Sequence, residues 1–255
     1  MMEQLLIQAE ILWPALLAGL IILTTHVPLG REVLQRGIIF LDLAIAQMAA
    51  LGVVVANIIW LGDDAHVSQT LVAVGTAIAG SMGLYRLRKL EIKVQEAIIG
   101  ILFILAATGS ILLLAADPHG GERLKEILVG QILWLEPKSL LPLALAYATI
   151  LIIWYGLRER MGAWLFYPLF AITITLSTQV VGVYLVFASL IIPNLVTLYQ
   201  QHPRVKSFVL GTVGYGSGLV MSALLDLPAG AAIVWCLALV ALGYYIFCTC
   251  SESKK

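Results

Sequence analysis

Residues 95–116 read Gln95-Glu-Ala-Ile-Ile-Gly-Ile-Leu-Phe-Ile-Leu-Ala-Ala-Thr-Gly-Ser-Ile-Leu-Leu-Leu-Ala-Ala116, and nothing after Glu96 carries a charge. A helix of that length rises about 30 Å, the thickness of the hydrocarbon core of a bilayer. Comparable segments recur on both sides of it. Hydropathy and charge punctuation place candidate spans at about 9–29, 38–61, 67–84, 95–116, 139–157, 163–180, 182–200, 207–225 and 229–247. Of the 255 residues, 61% are hydrophobic and 12% charged, about half the charged share of a soluble domain. A soluble enzyme is thereby excluded. The chain is expected to be an all-α, polytopic integral membrane bundle of eight to nine transmembrane helices, forming one transmembrane domain over 1–255.

Charge orients the spans. Basic residues mark every second connection: Arg31 and Arg36, then Arg86, Arg88, Lys89 and Lys93, then Arg158 and Arg160, then Arg204 and Lys206, and finally Lys254 and Lys255. Asp63, Asp64 and His66 lie in an intervening one. Cytoplasmic connections hold the excess of Lys and Arg. The N-terminus is therefore expected outside and the C-terminus in the cytoplasm, which nine crossings satisfy. The spans at 163–180 and 182–200 leave only Gln179–Gly182 for a very tight turn. Glu3 and Glu10 without a basic leader point away from a cleavable signal peptide. Fifteen basic and fifteen acidic residues balance, so no nucleic-acid surface is expected and membrane lipid is the surrounding partner. Cys236, Cys248 and Cys250 give neither a disulfide framework nor a metal pattern.

The largest segment outside the spans is about 117–138. Its Pro118-His-Gly-Gly121 run breaks any helix, and Leu124, Ile127, Leu128 and Ile132 then recur at helical spacing between charges. A short amphipathic helix on the external face is expected. Small residues at four-residue spacing, Gly214, Gly218 and Ser222 in one span and Gly75, Ala79 and Gly83 in another, allow close approach of helix backbones. Packing within the chain and a homodimer seam are both open to them.

Polar groups inside a membrane carry function because each is costly to place there. Asp42, Gln47 and Asn57 lie in the second span, Thr173, Thr175, Ser177, Thr178 and Gln179 end the sixth, Asn194 follows Pro193, and His26 precedes Pro28. None forms a catalytic set: Gly-x-Ser-x-Gly, His-Glu-x-x-His and the P-loop are all missing, and no enzymatic activity is expected. Asp42 stands about one turn from the cytoplasmic edge, so a carboxylate paired with Arg36 or the Arg86–Lys93 loop is its plainer reading. His119 and Glu122 are candidates on the external segment for meeting an ion or a protein.

Three stretches together resemble the permease subunits of metal-ion ABC importers, the zinc/manganese/iron class. Pro28-Leu-Gly30, Arg36 and Phe40-Leu-Asp42-Leu-Ala-Ile-Ala-Gln47-Met-Ala-Ala-Leu-Gly52 are similar to that family's PLG…R…FxGDxLxHxxLxG region. Val181-Gly-Val-Tyr-Leu-Val-Phe-Ala-Ser-Leu-Ile-Ile-Pro193 is similar to VGxLLxxxLLIIPAxxA, and Asp226-Leu-Pro-Ala-Gly230 to DxPxGxxIV. Gly130-Gln-Ile-Leu133 resembles a GDxL element. The resemblance implies a helical permease in a bacterial inner membrane, paired as a homodimer around a central path. It implies a cytoplasmic ATP-binding subunit and a periplasmic metal-binding protein as partners. Zinc or manganese would be transported as cargo, with no cofactor held by the chain. Asp42 and Gln47 would line the path.

Two departures stand out. Counting back from Gly52, Gln47 takes the place of the family's histidine and Leu43 that of its aspartate, which displaces Asp42 by one residue. The cytoplasmic segment that forms coupling helices in the family is reduced to Tyr155-Gly-Leu-Arg-Glu-Arg-Met-Gly162. The alternative is a relative that has lost ATP coupling and acts as a membrane scaffold or passive solute pathway.

Overall fold

The computed structural model describes residues 2–59, 65–115 and 117–252, with side chains over 10–59, 69–115 and 117–249. Asp63, Asp64, Lys254 and Lys255, and the side chains of Glu3, His66 and Cys250, lie outside the described residues. All regular structure among the described residues is helical. The helices are α1 (Met2–Arg36), α2 (Leu41–Ile59), α3 (Ala65–Leu87), α4 (Ile92–Leu114), α5 (Gly120–Val129), α6 (Pro137–Met161), α7 (Ala163–Val196), α8 (Pro203–Leu225) and α9 (Ala229–Glu252). A single 3-10 turn, Ile132–Trp134, precedes α6. Only helices satisfy every backbone group in lipid without a closed barrel.

Eight of these, all but α5, are long and apolar enough to cross a membrane. They agree with the hydropathy spans to within a few residues, with two exceptions: α1 runs seven residues past the expected end at 29 and takes in Arg31 and Arg36, and 163–180 and 182–200 fall within one element, α7. Its helical geometry is interrupted at Gly182, with φ +77° and ψ 164°, so α7 is two helices joined where the tight turn was expected. Between α6 and α7 only Gly162 is non-helical. Arg158 and Arg160 belong to the last turn of α6, where long basic side chains reach past the apolar stretch.

The transmembrane domain read over 1–255 divides into two compact units that interleave along the chain. The first contains residues 1–35, 131–148 and 184–255, and the second residues 36–130 and 149–183.

In the first unit α8 lies against α9 through its small-residue face: side chains built at Gly214 and Gly218 would meet Leu237 and Ile233. Ser222, next on that face, donates to the Leu227 carbonyl at 2.6 Å and closes the turn after α8. α1 packs on α8 where Gly19 faces the Tyr215 ring. It packs on the second half of α7 where Gly30 faces the Leu190 carbonyl and the Asn194 amide.

In the second unit α2 packs on α3 and α4, with Gly52 against Ala73 and Thr76, and Gly80 against Met48. The packed face of α3 holds Ala73, Ala77, Ser81 and Leu84, all buried. Around Gly75 and Gly83 there is open space, and Ala79 is exposed, so that stripe faces away from the unit's own helices. Arg36 lies over the Phe166 ring at 4.4 Å, and Phe166 stacks on Phe170 at 5.2 Å. Large apolar side chains such as Leu112, 76% exposed, and Ile152, 72% exposed, cover α4 and α6. A lipid-facing surface takes such residues at no cost.

Candidate functional site

α2 is enclosed on most of its circumference, with Leu41, Asp42, Ala44, Ile45, Ala46, Gln47, Ala49 and Ala50 all buried. A helix buried on every side belongs to the interior of a bundle. Asp42 sits in its first turn, where the backbone N–H groups and the helix dipole favour a negative charge. Its Oδ1 accepts a hydrogen bond from the Leu43 N–H at 2.8 Å, whereas Oδ2 is buried with no hydrogen-bond partner. The ion pair with Arg36 or the Arg86–Lys93 loop is not formed. Arg36 lies over Phe166, and Arg88 over Tyr85 at 4.4 Å.

Gln47 is buried five residues on from Asp42, about 140° around the helix. The two therefore do not share a face as an Asp-x-x-x-His pair would.

Further polar groups of this unit lie on the first half of α7. Thr173, Thr175, Ser177 and Thr178 are buried, and each hydroxyl donates to the carbonyl four residues back, at 2.7–2.8 Å. Each hydroxyl proton is thereby committed to the backbone, and a hydroxyl oxygen so engaged can still act as an acceptor. At the end of α2 opposite Asp42, Gln69 Nε2 donates to Asn57 Oδ1, and Thr70 Oγ1 donates to Gln179 Oε1 at 3.3 Å. Carboxamides and a hydroxyl thus join α2, α3 and α7 there. Among the described residues no three His, Cys, Asp or Glu side chains gather as a metal cage. Among its described residues the second unit offers one buried carboxylate, Asp42, together with neutral oxygens.

The first unit contains a buried network that sequence spacing did not single out as a group. His26 Nδ1 and Ser189 Oγ pair at 2.7 Å, although 163 residues separate them. Asn194 Nδ2 donates to the Leu190 carbonyl at 2.9 Å and to the His26 carbonyl at 3.3 Å, while Asn194 Oδ1 is buried without a partner. The bonds of His26 with Ser189 and Asn194 pin α1 to α7 around Gly30. The available signal was a histidine and an asparagine inside apolar spans.

On the 117–138 segment, His119 and Glu122 are both largely exposed and pair with each other at 3.5 Å. Asp117 accepts the His119 backbone N–H at 2.9 Å and pairs with Arg123 at 3.2 Å. The helix ends at Val129, one turn before Ile132, because Gly130 adopts φ +74°. Leu124, Ile127 and Leu128 remain half-buried on its inner side, while Ile132 is buried in the 3-10 turn.

Two comparisons bear on this arrangement. The solved structure of PsaBC from Streptococcus pneumoniae in complex with Fab superposes with a TM-score of 0.71, at 21% identity, over 91% of this chain and 90% of that one. That likeness establishes a shared fold. The model of the ABC 3 transport family matches residues 8–166 and 154–248, and the two stretches overlap around the Gly162 connection. With nearly the whole chain matched and eight apolar helices to carry it, the protein is a multi-pass membrane permease and belongs to the ABC 3 transport family, the permeases of metal-ion ABC transporters.

Proposed function

We propose that this permease imports a divalent metal ion across a bacterial inner membrane, from an external binding protein and at the expense of a cytoplasmic ATPase. The observation that carries the reading is the Asp42 Oδ2 atom, buried and unpartnered on an enclosed helix. A buried carboxylate oxygen left without a partner is expensive unless a cation or a moving group meets it. Gln47 and the hydroxyls of α7 add neutral oxygen donors. Such a donor set suits harder ions such as manganese better than zinc, which favours imidazole and thiolate. His119 and Glu122 stand on the external segment, where a binding protein would approach.

Coupling needs a surface for the ATPase, and Gly162 alone between α6 and α7 offers none. The α7–α8 connection is better built for it. Thr197 and Ser207 pair at 2.6 Å in its buried base, and Gln200 accepts from Lys206 Nζ at 2.9 Å and Tyr244 at 3.2 Å. Held by these bonds, the loop presents Tyr199, 96% exposed, and the first turn of α8 carries Arg204, also exposed. Aromatic side chains dominate the energy of protein interfaces. Tyr199→Ala is expected to leave the permease folded and to weaken recovery of the ATPase in a gentle-detergent pull-down by about tenfold or more. Undiminished recovery would remove this surface from the reading. If the wild type recovers no ATPase at all, the uncoupled relative becomes the better account.

The same reading has α7 reversing at Gly182. Basic residues flank both of its ends, Arg158 and Arg160 before it and Arg204 and Lys206 after it. Nine crossings follow, with the N-terminus outside and the C-terminus cytoplasmic. Single cysteines at Gly162 and Tyr199, in a background without Cys236, Cys248 and Cys250, are expected to react only with a membrane-permeant thiol reagent in intact cells. Opposite accessibility of the two sites would mean a single crossing. The open stripe of Gly75, Ala79 and Gly83 is the face this reading assigns to the homodimer.

A further inference from the structure

The chain passes between its two compact units at 35/36, 130/131, 148/149 and 183/184. Three of these passages lie within two residues of a glycine at positive φ: Gly37 at +72°, Gly130 at +74° and Gly182 at +77°. The fourth runs through the unbroken helix α6. One other glycine in the described chain has positive φ, Gly162 at +52°, and it joins α6 to α7 within a single unit.

Gly130 and Gly182 are themselves in backbone contact. A Cβ built on Gly130 would fall on the Val181 carbonyl and the Gly182 nitrogen, and one built on Gly182 on the Gly130 nitrogen. Both have ψ near 180°, at 173° and 164°, in a region of backbone space that only glycine enters freely. Two passages are thus gathered into one pivot.

We propose that Gly37, Gly130 and Gly182 are the hinges on which the two compact units of this permease move as rigid bodies. This inference rests on the transporter reading, because an ATP-driven permease must change the side from which its path opens. Domain motions concentrate in a few terminal or loop residues that absorb the change in φ and ψ. Glycine has the widest choice of wells at least steric cost. The interiors of the units are unsuited to this: in the first, α1, α7 and α8 interlock through Gly19, Gly30 and the bonds of His26 with Ser189 and Asn194, and in the second α2 and α3 interlock at Gly52 and Gly80. With α6 continuous, the motion left to the units is a twist or tilt carried by that helix.

The test uses the full-length permease assembled with its ATPase, with Cys236, Cys248 and Cys250 replaced by serine. Spin labels at the exposed positions Leu112 and Leu224 report across the units, whereas Leu71 with Leu112 and Leu224 with Leu239 report within them. Labelled chains are diluted with unlabelled ones so that only distances within one chain are read. The crossing pair is expected to change distance between the nucleotide-free and ATP-vanadate states, while both control pairs keep theirs. A crossing distance that stays fixed, or control distances that shift as much, overturns the proposal.

Two variants assign the motion to the glycines. A Cβ at Gly37 meets only Ile92 methyls at 3.7 and 3.8 Å, and one at Gly162 meets nothing within 4 Å. Both alanines therefore fit and carry a similar positive-φ strain. Gly37→Ala is expected to lower the nucleotide-driven distance change and metal uptake about tenfold, with Gly162→Ala within about twofold of wild type. Equal effects of the two would remove the hinge assignment. The distances are read whether or not the wild type takes up metal, so a failed uptake assay counts against the cargo and leaves the hinge to be decided by the spin labels.

Discussion

Replacing Asp42 with asparagine is expected to lower metal uptake by at least about tenfold while the protein stays folded, the loss typical of an altered metal-binding shell. Asparagine keeps the shape of the side chain and an oxygen for the Leu43 N–H, now met by Oδ1 at 2.8 Å, and removes the charge. The competing role for Asp42 is to stabilise the start of α2, and the two roles separate cleanly. An N-terminal helix partner tolerates asparagine, and its loss in Asp42→Ala costs about 1 kcal/mol. A cargo ligand fails in both variants, with uptake lost in Asp42→Asn while the melting temperature stays close to wild type. Normal uptake in Asp42→Asn, with lowered stability in Asp42→Ala, would return Asp42 to a purely structural part. The measurements are initial uptake rates in vesicles and thermal melts in detergent, made on the same preparations.

Gly30→Ala is expected to have the largest effect on folding, a loss of about 3 kcal/mol seen as poor yield and a lowered melting temperature. The added Cβ would overlap the Leu190 carbonyl oxygen and come within 2.6 Å of Asn194 Nδ2. Because the nearer obstacle is backbone, no rotamer change relieves it, and Asn194→Ala is not expected to rescue the variant. Separating the helices to make room would also break the buried bonds from Asn194 to the His26 carbonyl and between His26 and Ser189. Gly216→Ala is the contrast: nothing lies within 4 Å, and the change should stay within about 0.5 kcal/mol of neutral. Comparable stability of the two alanine variants would show that α1 and α7 are not closely packed at Gly30.

Much of this architecture was legible in the sequence because lipid imposes a coarse rule. A span must be apolar over about 30 Å, and residues 95–116 announce that without reference to any partner. The break at Gly182 was legible too, since two apolar stretches met there with almost nothing between them. Which face of a helix meets another was not. Gly75, Ala79 and Gly83 form as good a small-residue stripe as Gly214, Gly218 and Ser222. Yet the first faces open space, and α3 packs through Ala73, Ala77 and Gly80 instead. In lipid the hydrophobic effect does not distinguish a packed face from an exposed one, so periodicity alone has no sign.

The candidate site shows the same division. Asp42 and Gln47 were legible as polar residues in an apolar helix, because such residues are costly and therefore conspicuous. The freedom of Asp42 Oδ2, and the placement of Arg36 on Phe166 in preference to Asp42, depend on contacts far apart in the chain. So does the His26–Ser189 bond. Grouping into two interleaved units is likewise invisible to hydropathy, which scores each span alone. The short passage from α6 to α7 could be read off residue by residue, and the overlap of the two family matches falls at the same place.

An ATP-driven metal path can be tested with purified permease and its ATPase in sealed vesicles, with the binding protein and radiolabelled manganese supplied on the external side. Uptake that requires ATP on the cytoplasmic side, and that falls in both Asp42→Asn and Tyr199→Ala, is the predicted result. Metal that enters at the same rate without ATP, or that does not enter although the ATPase is bound and hydrolysing, would contradict an ATP-coupled metal path in this chain.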